Sequence, residues 1–151
     1  MAYEFKMHRT VEFSETDMAG IMHFANYFLF MESVEHEFFR SLGLKVHCRT
    51  ESGVQGWARV NTECTFLQPL RYEDDVELHL MVREKRTKSL SYVIVFRKKD
   101  PEAIGGLIEV ARGTLTVVCV SRPHGETVFR ASPMPSEVNA RIETAPAELL
   151  T

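Results

Sequence analysis

The chain has little of what would mark a disulfide scaffold, a metal knuckle or a membrane protein. Its three cysteines, Cys48, Cys64 and Cys119, are odd in number, widely spaced and never in a Cys-x-x-Cys pair. That excludes a paired disulfide framework and offers no zinc motif, so reduced, mostly buried thiols are expected. No stretch approaches the roughly 18 apolar residues needed to cross a bilayer. The N-terminus, Met1-Ala2-Tyr3-Glu4-Phe5-Lys6, lacks the apolar core of a secretion signal. The expectation is a cytoplasmic protein without membrane insertion. Charge of one sign is also missing: 18 Lys and Arg against 21 Asp and Glu leave a formal charge of −3. No general pull toward nucleic acid follows, and any phosphate recognition must be local. Repeats of 20 to 50 residues and low-complexity tracts are absent.

What is present is enough apolar residue, 44% of 151, for one globular domain over residues 1–151. Met7, Val11 and Phe13 share a parity, which predicts a short first strand over 7–13. The period then changes. Phe24, Tyr27, Phe28, Met31, Val34, Phe38 and Leu42 recur at three and four residues, predicting a helix over 24–42. Gly43 and Arg40 mark its end. Leu29 and Phe30 add apolar surface outside the main stripe, so its first half is expected to be buried nearly all round.

Period-two patterns follow at Ala58 to Phe66, Val76 to Val82, Leu90 to Phe96 and Leu107 to Val120. They predict at least five strands in all. Short connections with turn chemistry, among them Gln68-Pro69, Asp100-Pro101 and Pro123-His124-Gly125, suggest sequential antiparallel hairpins. The last 15 or so residues read as a loose tail or a short helix. An antiparallel sheet that must bury one long apolar helix curls around it, because both apolar faces need a partner. The fold class is therefore α+β.

The most informative segment is Phe13-Ser14-Glu15-Thr16-Asp17-Met18-Ala19-Gly20-Ile21-Met22-His23-Phe24-Ala25-Asn26-Tyr27, which joins a strand to a helix through a glycine-containing loop. Its Thr-Asp-x-x-Gly-Ile stretch, the Asn-Tyr that follows, and the helical Glu32 and Arg40 resemble the 4-hydroxybenzoyl-CoA thioesterase family and the similar tol-pal-associated acyl-CoA thioesterases. The run Phe66-Leu67-Gln68-Pro69-Leu70-Arg71-Tyr72-Glu73-Asp74-Asp75-Val76 continues the likeness, which spans most of residues 7–120. The resemblance implies a hotdog fold and hydrolysis of an acyl-CoA to free acid and coenzyme A. It implies a catalytic role for Asp17, the backbone N–H of Phe24 as oxyanion donor, and active sites at the interface of a homodimer or homotetramer.

The chemistry asks for the same arrangement. A helix N-terminus carries unpaired N–H groups and partial positive charge, which polarise a thioester carbonyl and hold the developing oxyanion. A nearby carboxylate can attack the carbonyl carbon or deprotonate a water that does, and sequence does not separate the two. The bland alternative for Asp17 is an ordinary cap or Asx-turn. Gly20 is expected to permit the tight loop and close passage of substrate.

Met22, Tyr27 and Trp57 are candidate acyl-pocket residues, although core packing explains each equally well. His23 is a further candidate for the pocket. Lys85, Arg86 and Lys88 lie in the densest basic stretch and could meet coenzyme A phosphates; a solvated hairpin accounts for them as well. Glu32, Glu35 and His36 share helical spacing but no third ligand is recognisable, so no metal is expected, and no cofactor beyond the coenzyme A of the substrate itself. An exposed sheet edge and an uncovered helix face predict self-association. Two other functions fit the same fold: a 3-hydroxyacyl dehydratase or hydratase, and a non-catalytic acyl-CoA-binding module.

Overall fold

The structure, a computed structural model, describes residues 1–151. Strand β1 (Glu4–Thr10) leads through a one-turn 3-10 helix at Phe13–Glu15 to helix α1 (Ala25–Ser41). Strands β2 (Cys48–Thr50), β3 (Gly53–Phe66), β4 (Asp75–Lys85), β5 (Ser89–Lys99) and β6 (Leu107–Pro123) follow. A two-residue β7 (Arg130–Ala131) and a short helix α2 (Ser136–Arg141) close the chain.

Helix α1 forms where the three-and-four stripe lies. Tyr27, Phe30, Met31, Val34 and Phe38 are buried on its sheet-facing side, which is the apolar stripe a helix needs to dock. Its stop is a Schellman arrangement. Leu44 N–H donates to Phe39 O at 2.9 Å and Gly43 N–H to Arg40 O at 3.0 Å, and Gly43 adopts the left-handed φ of 71°. The expectation that the first half is buried all round does not hold. Leu29 is 55% exposed and the Phe24 side chain 59%, because the sheet covers only one side of the helix.

The seven strands form one antiparallel sheet, with the main order β1-β4-β5-β6-β3-β2 and β7 beside β6. Strands β2 and β3 pair as sequential neighbours, as do β4 to β7, but β3 does not pair with β4 and β1 lies beside β4, so the expected run of sequential hairpins is broken between β3 and β4. Strand β3 pairs with β6, Phe66 opposite Ala111 and Gly53 opposite Pro123. The chain then crosses the open end of the curl to start β4 beside β1, Asp75 opposite Thr10. Strand β1 itself begins three residues earlier than the parity pattern suggests and ends before Val11. Part of the polar stretch after Cys48 is strand as well, because Cys48–Thr50 and Gly53–Gln55 pair as a hairpin.

The crossing segment is held from both sides. Val11 N–H donates to Asp74 O, Glu73 N–H to Val11 O, and Met22 N–H to Leu70 O at 2.7 Å. Leu70 is fully buried. This seats the segment from Leu67 to Asp74 beneath the start of α1.

The tail is docked on the sheet. Val138, Ile142 and Ala145 are buried, Glu143 N–H donates to Ala2 O and Ala145 N–H to Val82 O. Ala145 and Leu150 pack with Met81, Val93 and Val95 on the outer face. No helix is long and apolar enough to cross a membrane.

Candidate active site

The loop between β1 and α1 is shaped by its own hydrogen bonds. Asp17 N–H donates to Ile21 O at 3.0 Å and Gly20 N–H to Asp17 O at 2.9 Å, a tight turn that Gly20 completes at φ 79°. A Cβ at Gly20 would meet no atom within 4 Å, so within the protomer glycine serves backbone geometry alone. One carboxylate oxygen of Asp17, Oδ1, accepts Ala19 N–H at 2.8 Å. Asp17 thus makes the Asx-turn that its residue type favours, with its side chain exposed.

The same loop is tied to the helix. His23 N–H donates to Glu15 O at 2.9 Å, and Asn26 Nδ2 donates to the same carbonyl at 2.8 Å. At the helix tip, Ala25 N–H donates to His23 Nδ1 at 3.3 Å, while Asn26 N–H reaches His23 O and Tyr27 N–H reaches Phe24 O. The N–H of Phe24 has no acceptor in the chain. A helix-tip N–H without a partner in the chain is free to donate to a bound group.

Asp17 and Phe24 line one groove of about 530 Å³ with Ile21, Met22, Tyr27, Phe66, Leu67, Gln68 and Pro69. Helix and loop supply one wall, the end of β3 and the crossing segment the other. Its floor is apolar: Met22 and Tyr27 are buried, and the Tyr27 ring meets Phe66 edge-on at 4.8 Å and Phe96 at 5.4 Å. Burial pushes the Tyr27 hydroxyl up from its ordinary pKa, with the Leu70 backbone acting the other way.

Of the residues singled out in the sequence, Asp17, Met22, Phe24 and Tyr27 therefore share the groove. His23 does not line it. Its ring caps Ala25 and lies against Phe24, 4.7 Å between centroids. Trp57 sits far along α1, edge-on to Phe39 at 5.8 Å, in a second groove of about 500 Å³ with Glu35, His36 and Arg59. The basic hairpin is at the opposite end of the sheet, since Lys85 ends the 11-residue β4 whose first residue neighbours the Asp17 end. That is roughly 33 Å at ~3.3 Å per residue. Lys85 Nζ donates to the carbonyls of Asn139 and Ile142, Arg86 pairs with Glu84, and Lys88 is exposed. Gln68 and Pro69, read in the sequence only as a turn, prove to be groove wall. No local signal shows that, because their position depends on β3 crossing to the helix tip.

In the second groove Arg59 bridges two helical acids, Glu35 at 2.5 Å and Glu32 at 3.4 Å. Burial pushes the Glu35 carboxyl up to about 7, against the opposing pull of Arg59. His36 is lowered, chiefly by burial.

A curled antiparallel sheet around one long helix is a hotdog fold, and the relatives that share it make the chain a thioester hydrolase. The chain belongs to the Thioesterase-like superfamily, whose profile matches residues 11–142. It is 30% identical over 91 residues to the 4-hydroxybenzoyl-CoA thioesterase of Pseudomonas sp. (strain CBS-3), covering 59% of this chain and 64% of that one. It is 31% identical over 107 residues to the 1,4-dihydroxy-2-naphthoyl-CoA hydrolase of Prochlorococcus marinus (strain NATL1A), covering 66% and 70%. The crystal structure of a hypothetical protein from Aquifex aeolicus superposes with a TM-score of 0.75 at 26% identity, over 92% of this chain and 99% of that one.

Proposed function

We propose that the protein hydrolyses a small or medium acyl-CoA, aromatic acyl groups included, with Asp17 as the reacting carboxylate and Phe24 N–H as the oxyanion donor. The observation that carries this is their shared groove, in which an exposed carboxylate and an unpaired amide flank an apolar floor. The acyl group lies on Met22 and Tyr27. Its carbonyl oxygen takes the Phe24 N–H, a contact worth about 10²- to 10³-fold in rate for a single donor. Asp17 either attacks the carbonyl carbon, expelling the thiolate and leaving a mixed anhydride that water hydrolyses, or removes a proton from the attacking water. Both routes use only water as co-reactant and release free acid and thiol. Aromatic rings on two sides of Tyr27 suit a planar acyl group, and the two named relatives carry aromatic acyl-CoA substrates in their names.

Self-association belongs to the same proposal. Strand β2 covers β3 only over Gly53–Gln55, which leaves the edge from Gly56 to Phe66 without a strand partner. A second copy paired there would satisfy that edge, and sedimentation is expected to show a dimer or tetramer. The activity is tested with a panel of acyl-CoA thioesters followed by free-thiol release. Asp17→Asn is expected to cut turnover by roughly 10³-fold or more while the thermal midpoint holds. Tight acyl-CoA binding with no thiol released by the unaltered protein would overturn the reading.

A further inference from the structure

The groove has two depths. Its floor, Met22 and Tyr27, is buried, while Asp17, Phe24, Phe66, Leu67, Gln68 and Pro69 are exposed along the rim. Among these rim residues only Asp17 and Gln68 have polar side chains. Asp17 has a chemical task, and its carboxylate already accepts Ala19 N–H. The Gln68 carboxamide makes no hydrogen bond to any group of the chain. Its backbone, by contrast, is fixed: Gln68 N–H and Leu67 N–H both donate to Val110 O, at 3.1 and 2.9 Å, and Pro69 follows with a locked φ. A free donor and a free acceptor are therefore presented from a rigid rim.

We propose that Gln68 is a substrate-binding residue that holds a secondary amide of the pantetheine arm. This rests on the reading of the groove given above. With the acyl group on the floor and the carbonyl oxygen at Phe24 N–H, the part of the thioester left over the rim is the thiol side. In a pantetheine arm that part is uncharged and carries a secondary amide two carbons from the sulfur, with one N–H and one C=O. The N–H and C=O of this trans amide point in opposite directions, so the Gln68 carboxamide meets one of them, donating to the C=O or accepting from the N–H. Apolar sites fix ligand orientation with a few such placed polar groups. The arm is common to coenzyme A and to acyl carrier protein, and the test separates the two donors.

Steady-state kinetics of the unaltered protein and of Gln68→Met and Gln68→Glu are compared on thioesters of one acyl group. These are the CoA thioester, the acyl carrier protein thioester, the N-acetylcysteamine thioester, which keeps the nearer amide, and the S-propyl thioester, which has none. Gln68→Met is expected to lower kcat/KM about 5- to 15-fold on the amide-bearing donors, the scale of one neutral hydrogen bond, mainly through KM. On the S-propyl thioester the loss is expected to stay below about 2-fold. Equal losses on all donors, or no loss on any, overturn the proposal. Calorimetric binding of the matching thioether analogues reads the same amide preference without turnover. Should Asp17→Asn keep full activity, the catalytic reading falls, while the amide preference still decides the role of Gln68. A loss confined to the carrier-protein or to the CoA thioester, with N-acetylcysteamine unaffected, would also overturn it, by placing Gln68 beyond the amide.

Discussion

Asn26 and Glu15 hold the Asp17 loop against the helix: Asn26 Nδ2 donates to the Glu15 carbonyl at 2.8 Å, beside the His23 N–H that uses the same oxygen. Asp17 stands two residues beyond Glu15, and Phe24 two before Asn26. The spacing between the Asp17 carboxylate and the Phe24 N–H is thus set by this clamp. Asn26→Ala removes one neutral hydrogen bond, about 1 kcal/mol of stability, and is expected to lower kcat by roughly 10-fold or more, because small displacements of reacting groups are costly. An unchanged kcat with the same drop in melting temperature would show that the clamp serves only the fold.

Gly20 separates backbone strain from crowding. Its φ of 79° and the empty space around its Cβ position predict that Gly20→Ala costs about 1 kcal/mol through backbone conformation alone. Gly20→Asn, which tolerates that region better, should cost less. Urea melts rank the stabilities. A fall in kcat/KM for Asn as large as that for Ala would show that substrate passes over this position.

Glu35 gives the stability a definite slope with pH. Its carboxyl titrates near 4.5 when unfolded and about 7 in the fold, raised first by burial and held back by Arg59. Between those values the native state binds more protons than the unfolded state, so stability falls as pH rises. The group's favourable contribution is full below about 4.5 and gone above about 7. The change is at most about 3 kcal/mol. Carboxylates lowered by arginine, such as Glu109 beside Arg112, slope the opposite way, so the difference between the unaltered protein and Glu35→Gln is the measurement. Chemical denaturation from pH 4.5 to 8 should show the two converging in slope only above 7. Parallel curves throughout would contradict the assignment.

Lys85 is committed to the tail through the carbonyls of Asn139 and Ile142, at 2.8 and 2.7 Å. Lys85→Met should destabilise by about 1 to 3 kcal/mol, the range for hydrogen bonds to a charged donor, and leave KM for an acyl-CoA nearly unchanged. A several-fold rise in KM would instead place this hairpin at the phosphates of coenzyme A.

Local pattern carried the elements because local physics forms them. The stripe from Tyr27 to Phe38 gave α1 to within a residue at each end, and the Schellman stop was visible in Gly43. The long strands were legible from period two. Strand order was not: nothing in the alternation of Ala58 to Phe66 says whether its partner is Asp75–Lys85 or Leu107–Pro123, since that choice depends on how the sheet closes around the helix. The docking of Val138 and Ile142 into the main core and of Ala145 onto the outer face was hidden for the same reason, because an uncovered apolar surface can be met by any apolar segment that reaches it. At the candidate site, Asp17 and Phe24 could be named from the motif, and Met22 and Tyr27 from their chemistry. Gln68 could not, because only the crossing brings it to the rim.

The segment from Leu67 to Asp74 closes the end of the curled sheet and, in the same eight residues, forms one wall of the groove beside Asp17. Acceptance of new acyl groups is therefore not a matter of swapping a dangling loop. An insertion that widens the groove also pries Leu70 from its seat and slackens the bond from Met22 below the helix, so altered specificity and loss of thermal resistance should arrive together. Side-chain exchanges at Phe66 or Leu67, which leave that segment in place, are the gentler route to a different substrate.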